Sequence, residues 1–345
     1  HAPRITATQG ADTTLRAQDA ADVYHQVTIT RPGTHPANLP LADLGARMNI
    51  EAARIEHGGN IELKAGLLTL AARGADAGDG VHLHADSSID LSGRTVMFDG
   101  VPVHVSAGKL GVSSAHGAVA LDGVIDLSAP AGGGDAGRLT ASAAEGPLSI
   151  GGTVRATAGI GGRGGEARLD ADSLGDFSAL NATLNTAGFT QQRVLRQRSG
   201  DIVIAADDTL TSRDIQITAD SGSIDVAGTL NASGSEGGHI QLNADRDLTL
   251  AASAELDAHA TATDGDGGRV DLRSQNGGVF LSGGSVIDVR GGADGRGGEV
   301  QLRLPRGSVL SVLDANGAND QMQLAATILG AAQQLIEGHQ VYTEA

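Results

Sequence analysis

A six-residue unit, Gly-Gly-x-Φ-x-Leu with Φ aliphatic, recurs through this chain and limits its fold more than any other feature. The clearest copies are Gly58-Gly59-Asn60-Ile61-Glu62-Leu63, Gly237-Gly238-His239-Ile240-Gln241-Leu242, Gly267-Gly268-Arg269-Val270-Asp271-Leu272 and Gly297-Gly298-Glu299-Val300-Gln301-Leu302. The last three begin 30 residues apart. Looser copies run through Gly80-Val81-His82-Leu83, Gly137-Arg138-Leu139, Gly164 to Leu169, Gly200 to Ile204 and Gly222 to Val226. Within each unit apolar and polar residues alternate at period two, the spacing of a strand with one buried face. A second element places Asp between aliphatics: Ile89-Asp90-Leu91-Ser92-Gly93, Ile125-Asp126-Leu127-Ser128 and Ile287-Asp288-Val289-Arg290-Gly291. Its Asp is expected to face outward.

Short strands joined by Gly and Asp turns, repeated without intervening helices, predict an all-β fold, a parallel β-helix, in preference to a sandwich. The hairpins of a sandwich need no fixed repeat, whereas a solenoid stacks each unit on the last and makes the period visible. Composition agrees. The 345 residues include 51 Gly, no Trp, 2 Tyr and 4 Phe, so a core cannot lean on aromatic rings. Stacked Val, Ile, Leu and Ala would fill a narrow interior instead. At roughly 20 to 30 residues per coil the chain would make about 12 to 17 coils. The irregular spacing, 16 residues from Gly222 to Gly238 and 30 thereafter, leaves the coil length open.

Three stretches break the pattern. Residues 1–50 hold Pro3, Pro32, Pro36 and Pro40 and read as irregular strands, Val27-Thr28-Ile29 among them, with a loop from Arg31 to Pro40. Coils are expected over 51–317, with an insertion at 173–198. There Leu174, Phe177, Leu180 and Leu184 fall at helical spacing, which predicts a short helix near 174–187 with Ser173 as N-cap and Gly188 as its stop. The tail, 318–345, suits a helix or terminal strands; the positions of Ile328, Leu335, Ile336, Val341 and Tyr342 tip the reading to strands or a cap.

The net charge of −17 argues against nucleic acid, because phosphate neutralisation needs clustered Lys and Arg. No window approaches the roughly 18 apolar residues of a membrane-spanning helix, so no membrane insertion is expected. The absence of Cys removes disulfide scaffolds, Cys-ligated zinc and thiol nucleophiles. The start at His1, with neither an initiator Met nor a signal-peptide pattern, suggests a processed chain or a piece of a longer one.

Plainer roles account for the residues that could carry chemistry. A polysaccharide-cleaving cleft needs converging carboxylates and aromatic platforms, whereas Asp here falls in turns or alternates outward. His82 and His84 share a strand face and with a third ligand would suit a metal; none is identifiable in the sequence, so they read as exposed histidines on a coil. Gly-Asp clusters at 132–137, 264–268 and 291–298 lack the tandem spacing of calcium-binding nonapeptides. No catalytic, cofactor-binding or metal residue, and no cofactor, is therefore assigned. Asn181-Ala182-Thr183 and Asn231-Ala232-Ser233 are glycosylation-type sequons.

These residues resemble the filamentous haemagglutinin family of large adhesins exported by two-partner secretion. The likeness rests on the Gly-Gly-x-Φ-x-Leu units, the Ile-Asp-Leu-Ser-Gly steps and the acidic, Cys-free composition. Asp43-Leu44-Gly45, Ser92-Gly93-Arg94-Thr95-Val96, Ser173-Leu174-Gly175-Asp176-Phe177 and Leu184-Asn185-Thr186-Ala187-Gly188-Phe189 reinforce it. The resemblance implies a right-handed parallel β-helix, export through an outer-membrane transporter as partner, and a secreted, cell-surface or extracellular location. It also implies a non-enzymatic structural role in adhesion or filaments, with possible self-association and an unknown surface ligand. The Asn-Pro-Asn-Leu or Asn-Pro-Asn-Gly signature of the family's secretion domain is missing, which places this segment outside that domain. The alternative is a β-helical lyase or hydrolase acting on a polysaccharide.

Overall fold

The computed structural model describes residues 5–30, 43–305 and 322–339. The loop expected from Arg31 to Pro40, the first prolines, and Val341 with Tyr342 lie outside them. Two compact units are present, residues 1–175 with 182–191 and residues 176–181 with 192–345. Each is a parallel β-helix whose coils contribute strands to three sheets.

In the first unit one sheet stacks Asp12–Arg16, Arg47–Ala52, Leu67–Ala72, Lys109–Ser114, Arg138–Ser149 and Glu166–Ser173 in parallel register. A second stacks Val27–Thr30, Ile55–Gly58, Val81–Leu83 and Val119–Leu121, and a third Asn60–Glu62, Ser88–Asp90, Val124–Asp126 and Thr153–Arg155. The second unit repeats this plan. Its first sheet runs Gln192–Gln197, Asp214–Ala219, His239–Ala244, Arg269–Ser274, Glu299–Pro305 and Gln333–His339. Three-residue strands beginning at Ile202 and Thr209 open its second and third sheets. The second ends at Met322–Leu324 and the third at Thr327–Leu329, so the tail is strand where it is described.

Register turns the alternation into a core. Ile215, Ile240, Val270 and Val300 stack in one inward column and Ile217, Leu242, Leu272 and Leu302 in the next, all at most 3% exposed. Ile61, Ile89, Ile125 and Val154 form a like buried column in the first unit. A fully buried aliphatic side chain contributes roughly 1.5–3 kcal/mol. Ladders of such residues therefore hold the coil without aromatic rings.

The glycine of the repeat is explained at the corner that opens many of the first-sheet strands. A Cβ on Gly268 would stand 2.1 Å from the Gly238 carbonyl oxygen, and one on Gly298 only 1.9 Å from that of Gly268. Gly108 and Gly137 form the matching column of the first unit. The same glycines close the preceding loop: the amides of Gly108, Gly137, Gly238, Gly268 and Gly298 donate to the carbonyls of Leu91, Leu127, Ala232, Ala258 and Val289. Loops of unequal length are thus pinched by one repeated bond. The Gly222 motif opens a second-sheet strand and the Gly238 motif the next first-sheet strand, which accounts for the short spacing between them. The Gly58-Gly59 copy precedes a strand of the third sheet instead.

The Φ-Asp-Φ-Ser element ends third-sheet strands. Asp90, Asp126, Asn231, Asp257 and Asp288 each accept a hydrogen bond from the backbone amide two residues on, at 2.9–3.0 Å. Asp288 is 5% exposed; Arg290 covers it by a two-oxygen pairing.

Two insertions depart from the coil. The helix spans Phe177–Ala187, and its cap is Asp176, whose carboxylate accepts the Ala179 amide at 3.0 Å. Ser173 is not the cap; its hydroxyl accepts the Gly175 amide in a local turn. Gly188, at φ +90°, ends the helix as expected, with Gly188 N donating to Asn185 O and Phe189 N to Leu184 O. That bond pair is a Schellman stop, with Leu184 and Phe189 both fully buried. The coil resumes at Gln192, inside the stretch read as an insertion. The second departure, an antiparallel hairpin of Arg94–Phe98 and Val101–Val105, was not anticipated. Its turn is Asp99-Gly100, both at positive φ, the pairing that a tight two-residue hairpin requires.

Candidate functional site

The outward strand faces carry charge that is spent between neighbouring coils. In the first unit Arg138 meets Glu166, and Arg163 meets Asp135 at 2.9 Å. In the second, Arg196 takes both oxygens of Asp220 at 3.0 Å. A longer relay climbs its first sheet: His239 lies 3.2 Å from Asp214 and 3.1 Å from Asp271, and Arg269 bridges Asp271 to Glu299 and Gln301. The carboxylates of Asp214 and then Asp271 push the His239 imidazole up to about 9. Burial alone would raise the Asp271 carboxyl, but the bonds from His239 and Arg269 outweigh it and hold the group at about 2. A carboxylate so pinned is a poor proton carrier near neutrality.

His57 and Arg193 take inward positions that aliphatic residues fill elsewhere. His57 is fully buried in the column between Ile29 and Leu83, with Nε2 3.3 Å from the Ser88 carbonyl, and burial pushes it down to about 4. Arg193 occupies an inward position in register with Ile215 and donates to Asn181 Oδ1 at 3.1 Å; burial lowers it to about 10. Asn181 is 2% exposed and also donates to Thr209 O, so this sequon is closed to a glycosylating enzyme.

His82 and His84 share an outer face, as their spacing requires. What the sequence could not show is their neighbour on the previous coil. Glu56 is in register with His82; its Oε2 lies 2.8 Å from His84 Nε2 and 3.4 Å from His82 Nδ1. On the following coil Asp122 stands 3.0 Å from His82 Nε2. A second grouping, Asp257, His259 and Asp288, holds only one imidazole, and Arg290 already occupies both Asp288 oxygens.

The hairpin presents apolar side chains to solvent, Met97 at 66% and Phe98 at 71% exposure, with Val101 and Val103 beside them. An apolar hollow beside the last coil of the second unit is lined by Leu281, Val300, Leu302, Leu324, Ile328 and Leu335 and presents no titratable group. No described helix is long and apolar enough to cross a membrane. No protein-family model, no curated protein and no solved structure matches the chain.

Proposed function

We propose that the chain is a structural, non-enzymatic segment of a secreted β-helical surface adhesin or extracellular filament. The observation that carries this reading is where the charged groups go. Carboxylates that could do acid–base work instead tie coil to coil, as in the Asp214–His239–Asp271–Arg269 relay, or cap the turns that end third-sheet strands. Aromatic rings to stack on sugars are sparse on the described faces: Phe177 and Phe189 are buried, the exposed Phe98 stands on the hairpin, and Phe280 is a single half-buried ring on an outer strand face.

The family resemblance of the repeats supplies the rest: export through an outer-membrane two-partner-secretion transporter, a place at the cell surface or outside it, and self-association into filaments. Backbone ladders give such a segment cohesion along the coil axis, and the charged outer faces keep it dispersed laterally. The test is to incubate the protein with acidic and neutral polysaccharides and to image the native material by electron microscopy. Solenoid rods or fibres with no released sugar ends are expected. Sustained release of reducing or unsaturated ends would overturn the reading in favour of a polysaccharide-degrading enzyme.

A further inference from the structure

We infer that Glu56, His82 and His84 form a site for a divalent transition-metal ion of the zinc class, on the outer face of the second sheet of the first unit. Zinc bound by nitrogen and oxygen has bonds of about 2.0–2.1 Å, which sets tetrahedral donor atoms about 3.3 Å apart. Glu56 Oε2 already stands 2.8 Å from His84 Nε2 and 3.4 Å from His82 Nδ1. All three donor atoms lie within 4.8 Å of one another, so small side-chain rotations complete the triangle.

The surroundings fit a ligand set better than a chance meeting of charges. A metal-bound histidine almost always gives its other ring N–H to a carboxylate or carbonyl, which fixes the tautomer and raises basicity. Here His82 directs Nδ1 to the shared position while Nε2 faces Asp122 Oδ2 at 3.0 Å. Arg54 binds the other oxygen of Glu56, Oε1, and leaves Oε2 for the ion. Glu56 is nearly buried, whereas His82 and His84 are 38% and 43% exposed, so the ion can enter and a water can take a fourth position. Imidazole with carboxylate selects zinc and its neighbours over calcium or magnesium, which prefer all-oxygen sites.

The site spans three consecutive coils, with Glu56 on Ile55–Gly58, His82 at Val81–Leu83 and Asp122 just after Val119–Leu121. It would cross-link adjacent coils in a chain that has no cysteine to do so. This inference stands independently of the adhesin reading.

The experiment is titration of the full chain, stripped with a chelator, with Zn2+ alone by calorimetry, followed by Co2+ to read coordination from its visible absorption. Uptake of one equivalent with a tetrahedral Co2+ spectrum is expected. His82→Ala, His84→Ala and Glu56→Gln should each weaken it at least tenfold, and Asp122→Asn, behind His82, about tenfold. His116→Ala and His259→Ala, checked with the others for native circular dichroism, should bind as the parent does. Absence of saturable uptake would overturn the proposal, as would uptake unchanged in Glu56→Gln and His84→Ala.

Discussion

One substitution type, Gly→Ala, is predicted with opposite signs at a corner glycine and at a glycine within a strand. In Gly268→Ala the new methyl would sit 2.1 Å from the Gly238 carbonyl oxygen and 2.7 Å from that of Ala258. Both oxygens accept backbone hydrogen bonds, the first from the Arg269 amide and the second from the Gly268 amide that closes the loop. Relief requires the backbones to part. Overpacking of this kind typically costs about 1–3 kcal/mol, and weakening two hydrogen bonds adds about 1 kcal/mol each, so a loss of about 3–5 kcal/mol is expected. Gly111 lies within a strand of the first unit, where an added Cβ would make only ordinary van der Waals contacts, with the Thr69 side chain at 3.8 Å and the Leu68 carbonyl oxygen at 3.9 Å. There Gly→Ala removes unfolded-state freedom without strain and should stabilise by about 0.4–1 kcal/mol. Urea unfolding followed by far-ultraviolet circular dichroism measures both. Because solenoids unfold in pieces, amide exchange at Arg269 and Glu299 should be read in parallel. A Gly268→Ala variant within about 0.5 kcal/mol of the parent, a margin typical of surface changes, with normal protection at those amides, would refute the steric account.

Other outcomes follow from the caps and the charge relay. His239 is held up at about 9 in the folded chain against 6.5 when free, so its contribution is full below about pH 6.5 and is lost as pH rises through 9. The parent should therefore lose its stability advantage over His239→Gln between pH 7 and about 10 in paired urea melts; parallel pH profiles would count against the relay. Asp176→Ala should remove the helix cap and cost about 1 kcal/mol. Phe189→Ala, which empties a fully buried site at the Schellman stop, should cost about 3–5 kcal/mol. Thermal unfolding would rank these two, and the reverse order would undermine the assigned roles.

Period-two alternation and the Gly-Gly pairs were enough to read a parallel β-helix, because each strand's buried face is written in its own residues. The helix was visible in its apolar spacing, but its start was misplaced: Ser173 and Asp176 are both capping residues, and only the backbone path decides between them. The hairpin was legible in Phe98-Asp99-Gly100-Val101, yet its exposed apolar strands imitate coil strands in sequence. Glu56 lay beyond reach. Its pairing with His82 depends on register between coils of unequal length, and register is set by which loops the corner bonds close.

Those corner bonds separate two properties of the chain that usually change together. Because Gly108 N returns to Leu91 O whatever lies between them, the hairpin from Arg94 to Val105 can lengthen, shorten or be exchanged while the aliphatic columns above and below keep their alignment. Doubling a closed loop adds only about 0.6 kcal/mol of closure entropy, against several kcal/mol for disturbing one ladder position. What the molecule displays can thus drift quickly across generations while its interior hardly changes. The same bond marks where a foreign peptide can be grafted without refolding the scaffold.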